Sequence, residues 1–197
     1  MIATAILAAG SAARMRGGDK LLEPVADEPV LRRLARAAQG AGGPVAVTLR
    51  DPDPARAAAI DGLSVTPLPV PDAAEGMAAS IRAAASWARG IGAAGLILCP
   101  GDLPELEGAD FATIAAALTS EGPPIRACDQ TGRPGHPVAF PSRLFAPLSR
   151  LAGDSGARAV LASHPPRLIP LPGRRATLDL DTPEAWAAWR TGSLRDG

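Results

Sequence analysis

The stretch MIATAILAAGSAARMRGGDKLLEPV (residues 1–25) decides the fold. Ile2 to Leu7 are an apolar run that stops at a glycine, the pattern of a strand buried on both faces of a parallel sheet. Residues 9–20 are small, polar and glycine-rich. From Pro29 the apolar positions Val30, Leu31, Leu34, Ala35 and Ala38 recur at helical spacing, with Asp27 and Glu28 as cap candidates. A strand, a glycine-rich loop and a helix in that order open an α/β sheet whose ligands bind outside the carboxyl ends of its strands.

The rest of the chain repeats the alternation. Strands are expected at Pro44–Leu49, Ser64–Leu68, Gly95–Cys99, Ile125–Cys128, Pro137–Phe140, Leu168–Leu171 and Ala176–Leu178. Helices are expected at Ala55–Ile60, Gly76–Arg89, Phe111–Leu118, Arg143–Leu151, Gly156–Ser163 and Pro183–Arg190. No linker, repeat or low-complexity tract interrupts them. The expectation is one α/β domain over residues 1–197, a three-layer αβα Rossmann-like sandwich around a mostly parallel sheet.

Composition narrows the function. The formal net charge is zero, so no general attraction to nucleic acid or to an anionic membrane is built in, and any phosphate binding must be local. Cys99 and Cys128 lie in apolar surroundings without CxxC spacing and read as reduced, buried thiols of a reducing compartment. The N-terminus lacks the basic flank of a signal peptide and is too short to span a bilayer, so a cytoplasmic protein is expected.

Of the twenty basic residues, Lys20 is the only lysine. Arginine is a wide planar fork, whereas lysine is a compact charge that reaches between phosphate oxygens. Its loop contains neither GxGxxG nor a P-loop, since Leu21 stands where a P-loop has Ser or Thr. It nevertheless has the parts of a phosphate cradle: Gly10, Ser11, Gly17, Gly18 and the cations Arg14 and Lys20. A second loop, CPGDLP (99–104), ends another strand and exposes Asp102, a hard oxygen donor suited to magnesium.

These segments resemble, in order, the signatures of the molybdenum-cofactor-type nucleotidyltransferases. LAAGSAARMRGGDKLL (7–22) resembles LAAGxSxRMGxxKLL. GMAAS (76–80) is similar to GMSxS, PGDLP (100–104) to GDxP, and RPGHPVAF (133–140) to GHPxLF. GDSGARAVL (153–161) and DLDTPEAW (179–186) resemble GDxGAR and DIDTPED. The branch most resembled is the cytidylyltransferases of that family, and the match spans almost the whole chain. Arg16 replaces the glycine usual after Met15, one extra residue precedes Lys20, and Asp19 stands before it.

The resemblance implies transfer of a nucleoside monophosphate, CMP from CTP, onto a phosphate acceptor of the molybdopterin class, with release of pyrophosphate. It implies Mg2+ as cofactor and a molybdenum hydroxylase apoenzyme as a recipient of the product. Leu7, Ala8, Ala9, Gly10, Ser11, Lys20 and Ser80 would bind nucleotide, while Arg14, Lys20 and Asp102 would act in catalysis. His136 and Asp154 would bind acceptor, and Asp102 and Asp181 would bind metal.

Other readings of the same residues stand beside these. Asp179 competes with Asp181 for the second carboxylate, and Asp181 also reads as the cap of the final helix. Asp154 suits a helix cap, His136 a structural hydrogen bond, and Ser80 a solvent-facing position. Arg174 and Arg175 read as a solvated face, and Trp87, Trp186 and Trp189 as packing residues. The rival functions are a guanylyltransferase and a carrier that binds nucleotide or pterin without turnover.

Overall fold

A computed structural model describes residues 1–10, 15, 18–154 and 156–192. The first strand, β1 (Ile2–Ala8), lies third in a seven-stranded sheet. On one side it pairs in parallel with β4 (Val45–Arg50), and β4 with β5 (Thr66–Val70). On the other side it pairs in parallel with β6 (Gly95–Pro100). Beyond β6 lie β8 (Pro134–Pro141), β7 (Ile125–Cys128) and β9 (Arg167–Pro170), of which β8 runs antiparallel to both neighbours. A two-residue hairpin, β2 (Pro24–Val25) with β3 (Glu28–Pro29), stands apart. The sheet is therefore mostly parallel, and the chain reverses its direction of growth between β1 and β6. Ligands of open α/β sheets bind at such a switch point.

Alternation along the strands divides the core into two layers. Ile6, Val47, Ile97 and Cys99 face α1 (Val30–Ala38) and α4 (Gly108–Ala117), meeting Leu31, Leu34, Phe111 and Ile114. Ala3, Ala5, Leu96, Leu98 and Val138 face α3 (Met77–Gly90) and α5 (Phe145–Leu148). Alanines at 78, 84, 85 and 88 let α3 lie close to the small residues of β1, and Val160 of α6 (Arg158–Ser163) closes the same layer. The remaining helices are α2 (Pro54–Ile60) and α7 (Pro183–Arg190). Among the described residues no helix is long and apolar enough to cross a membrane.

Three local expectations are corrected. Helix α1 starts after Pro29 without a side-chain cap, because Glu28 is drawn into the β2–β3 hairpin and its carboxylate pairs with Arg36. Residues 176–178 are a turn, not a strand. The amides of Thr177 and Leu178 both donate to the Arg174 carbonyl, while Ala176 offers its carbonyl to the His136 amide. Asp154 caps no helix, since α6 begins after Ala157. Cys99 and Cys128 are buried and unpaired, and burial together with Asp102 holds the Cys99 thiol well above its ordinary pKa.

Candidate active site

The loops that follow β1 and β6 meet over the carboxyl end of the sheet and border a cleft of about 790 Å3. Leu7, Gly10 and Lys20 come from the first loop and its strand, and Pro100, Gly101 and Asp102 from the second. Met77 and Ser80 of α3, Asp154, Arg50 and Arg56 complete much of the wall.

Lys20 opens a single 3-10 turn, Lys20–Leu22, capped by Asp19, whose carboxylate accepts from the Leu21 amide. The turn buries Leu21 and holds the lysine ammonium up into the cleft. There Lys20 Nζ donates to Asp102 Oδ2 at 2.5 Å and to Asp181 Oδ1 at 2.6 Å. Burial would lower the lysine's pKa, but the two carboxylates outweigh it and hold the value above the ordinary one. Residues separated by 82 and 161 positions in sequence thus converge on one atom.

Asp181 reaches this point because the segment before it is pinned. Leu178 and Leu180 are buried with Trp186, Trp189, Val25 and Val30. Trp186 Nε1 donates to the Leu180 carbonyl at 3.1 Å, and Trp189 Nε1 donates to Glu105 Oε1 at 2.8 Å. The second bond fastens α7 to the loop that carries Asp102. Thr182, not Asp181, caps α7 by accepting from the Ala185 amide, so the cap does not occupy the Asp181 carboxylate. Asp179 is exposed and makes no such contact with Lys20. The tryptophans are packing residues, as expected, with Trp186 and Trp189 edge to face at 5.8 Å.

Two carboxylate oxygens brought together on a single cationic atom are the donor set that a hard divalent cation needs, with the triphosphate and water completing its shell. Asp102 and Asp181 therefore fit such an ion. Among the described residues no group of three or more potential ligands exists, so the protein would supply only part of the coordination.

The other expected residues are distributed as follows. Ser80 is buried and lines the cleft, not solvent. Leu7 and Gly10 line it too, whereas Ala8 and Ala9 are buried beneath it. The Ala8 amide donates to Thr48 Oγ1, and its carbonyl accepts from Arg56, so both polar groups of Ala8 are engaged within the protein. Asp154 packs its Oδ1 against Gly76, only 1.6 Å from where a Cβ on that residue would sit. Gly76 has φ +100°, so only glycine admits both this backbone and this approach. His136 lies in β8 with its Nδ1 buried and without a partner among the described residues. Burial and the nearby Arg126 lower its pKa to about 4, against the opposing pull of Asp102, so the ring is neutral. Ser11 and Arg14 lie outside the described residues. Arg175 pairs with Glu107 and Asp110 at the start of α4, a structural role instead of a solvated one.

Arg56 was not legible as a site residue. It is 4% exposed and ties both ends of the first loop together. Its Nη1 donates to the carbonyls of Ala8 and Gly10 at 2.6 and 2.8 Å, and its Nε and Nη2 grip Asp19. The only hint in sequence is one arginine within the otherwise apolar, alanine-rich α2.

Residues 4–168 match the MobA-like NTP transferase domain, and the chain belongs to that family of nucleotidyltransferases. Rv0371c from Mycobacterium tuberculosis H37Rv is 32% identical over 96% of this chain and 95% of its own, with a TM-score of 0.78. A structure of Rv0371C complexed with manganese, from the same organism, is 29% identical over 94% of this chain and 96% of its own, with a TM-score of 0.73. A nucleotidyl transferase from Methanothermobacter thermautotroptrophicus shares the fold at 19% identity, covering 100% of this chain and 99% of its own, with a TM-score of 0.78. No curated protein matches the sequence.

Proposed function

We propose that this enzyme transfers CMP from CTP to the phosphate of a molybdopterin-class acceptor and releases pyrophosphate, acting as one domain. The observation that carries the reading is the convergence of Asp102 and Asp181 on Lys20 at the mouth of the sheet. The choice of CTP rests on the resemblance to the cytidylyltransferase branch, and that of the acceptor on the same resemblance. A CMP:2-keto-3-deoxy-manno-octonic acid synthetase complexed with CTP has the same fold at 14% identity, covering 100% of both chains with a TM-score of 0.75.

The acceptor's phosphate oxygen attacks the α-phosphorus of CTP. The bond from that phosphorus to the bridging oxygen breaks, and pyrophosphate leaves with the electron pair. A phosphate monoester is largely ionised at neutral pH, so no residue need remove a proton, in keeping with His136, whose pKa of about 4 makes it a poor base. Lys20, with Arg14, neutralises the triphosphate tail and the charge that develops on the leaving group. Leu7, Gly10 and Ser80, with Ser11, border the nucleotide, and Asp154 and His136 face the acceptor side. Asp102 and Asp181 would hold Mg2+, which supplies charge neutralisation to the phosphates.

The test is pyrophosphate release with each of the four ribonucleoside triphosphates, Mg2+ and molybdopterin. Release with CTP alone supports the reading. Release with GTP alone would make the enzyme a guanylyltransferase, and tight binding without release would make it a carrier.

A further inference from the structure

We propose that Arg126, Arg158 and His136 form an anion subsite that holds a phosphate monoester group of the acceptor. The inference rests on the nucleotidyl-transfer reading and adds Arg126 and Arg158 to His136.

The register of the sheet places these groups. Leu7 of β1 stands opposite Pro100 of β6, and both border the cleft. One step further along the sheet, Leu98 pairs with Val138 of β8, and Val138 with Arg126 of β7. Directly opposed residues of antiparallel strands share a face. Arg126 therefore projects on the side of Val138, the face covered by α3 and by Val160 of α6. Its Nε donates to the carbonyl of Gly135 at 2.9 Å, which anchors the guanidinium beside His136. Arg158 is the first residue of α6, exposed where Val160 is buried, and its charge acts on Arg126.

The charges are unbalanced there. Among the described residues no carboxylate forms an ion pair with Arg126 or Arg158, whereas Arg56 and Lys20 of the cleft both have acidic partners. Arg126 is disfavoured as a cation by burial and by the neighbouring Arg158, a cost that a bound dianion would reverse. The imidazole of His136 is within electrostatic reach of both Arg126 and Asp102, and its buried Nδ1 has no partner among the described residues. A buried polar atom without a partner is uncommon and invites a ligand. Two guanidinium groups and an imidazole suit the geometry and charge of a phosphate better than those of a carboxylate or a sugar hydroxyl. His136 feels the charge of Asp102, so a phosphate held there would lie towards the carboxylate expected near the α-phosphorus.

The experiment uses the full chain and inorganic phosphate as probe, with acetate as the competing chemistry. Phosphate is titrated by calorimetry with and without saturating α,β-methylene CTP and Mg2+, while His136 is followed by its ring 15N resonances. The wild type should bind phosphate in the presence of the analogue, at least tenfold more tightly than acetate, with a shift of the His136 signals. Arg126→Gln and Arg158→Gln should each weaken phosphate binding at least tenfold and change affinity for the analogue by less than twofold. Arg158 is exposed, so its variant reads the site without disturbing the core. Unchanged phosphate affinity in Arg158→Gln, acetate binding as tight as phosphate, or a silent His136 would overturn the proposal. Absence of analogue binding with the phosphate results intact would instead overturn the nucleotide reading.

Discussion

Asp19 and Arg56 are joined by two parallel hydrogen bonds, Nε to Oδ2 at 2.7 Å and Nη2 to Oδ1 at 2.9 Å, and this fork spans the base of the first loop. The same carboxylate caps the turn that begins with Lys20, so the position of the lysine depends on a buried arginine from another helix. The aspartate that precedes Lys20 is thus part of a strut.

Removing one member of such a buried pair leaves the other charge uncompensated, at a cost of roughly 3–5 kcal/mol. Arg56→Ala is expected to lose about that much in urea denaturation, and Asp19→Asn less, because Asp19 is more exposed and the remaining amide oxygen still accepts. A double-mutant cycle should return a coupling between the two. Additive effects would contradict the strut.

Trp189 joins α7 to the loop of Asp102 through Glu105. Trp189→Phe keeps the ring packing and loses one hydrogen bond, worth about 1 kcal/mol in stability. Because that bond sets the spacing of Asp102 and Asp181, the variant is expected to weaken Mn2+ binding several-fold while kcat at saturating metal stays near wild type. Equal metal affinity would show that Trp189 is only a core residue.

The neutral His136 makes stability depend on pH. Its folded pKa of about 4 lies below the ordinary 6.5, so between these values the unfolded chain takes up a proton that the folded chain refuses. Stability therefore falls as pH drops from 6.5 towards 4, by up to about 3 kcal/mol from this residue. The charged groups that face it are Arg126, which adds to the shift, and Asp102, which opposes it. In His136→Gln the fall over that range should shrink by a comparable amount, as read by denaturation at each pH. An identical pH profile would contradict the buried neutral ring.

Manganese binding reads the paired carboxylates directly. Asp102→Asn and Asp181→Asn are each expected to weaken Mn2+ binding at least tenfold in an EPR titration with CTP present. Asp179→Asn, whose carboxylate is exposed and away from Lys20, should be neutral. The reverse ranking of Asp179 and Asp181 would reassign the second carboxylate.

Much of this was legible in the sequence because the decisive signals are local. A buried strand, a glycine-rich loop and GDLP announce themselves within a few residues, and β1, β6, α3 and α7 fall within a residue or two of expectation. What pattern could not show was pairing across the chain. Asp181 and Asp179 are indistinguishable until the burial of Leu178 and Leu180 and the Thr182 cap fix which one turns towards Lys20. Arg56 and Arg126 were missed for the same reason: their importance lies in partners 37 to 48 residues distant or in a neighbouring strand. The strand expected at 176–178 failed because its apolar residues serve a turn that buries Ala176 and Leu178 and offers β8 only the Ala176 carbonyl.

The central claim is that Lys20, Asp102 and Asp181 act together on the triphosphate. Its most direct test is steady-state pyrophosphate release from CTP, Mg2+ and molybdopterin by Lys20→Ala, Asp102→Asn and Asp181→Asn, with melting temperature measured alongside. Each variant should fold and lose kcat by about 10²–10³, the usual loss for one preorganised charge. Wild-type turnover in folded Lys20→Ala and Asp102→Asn would contradict the account.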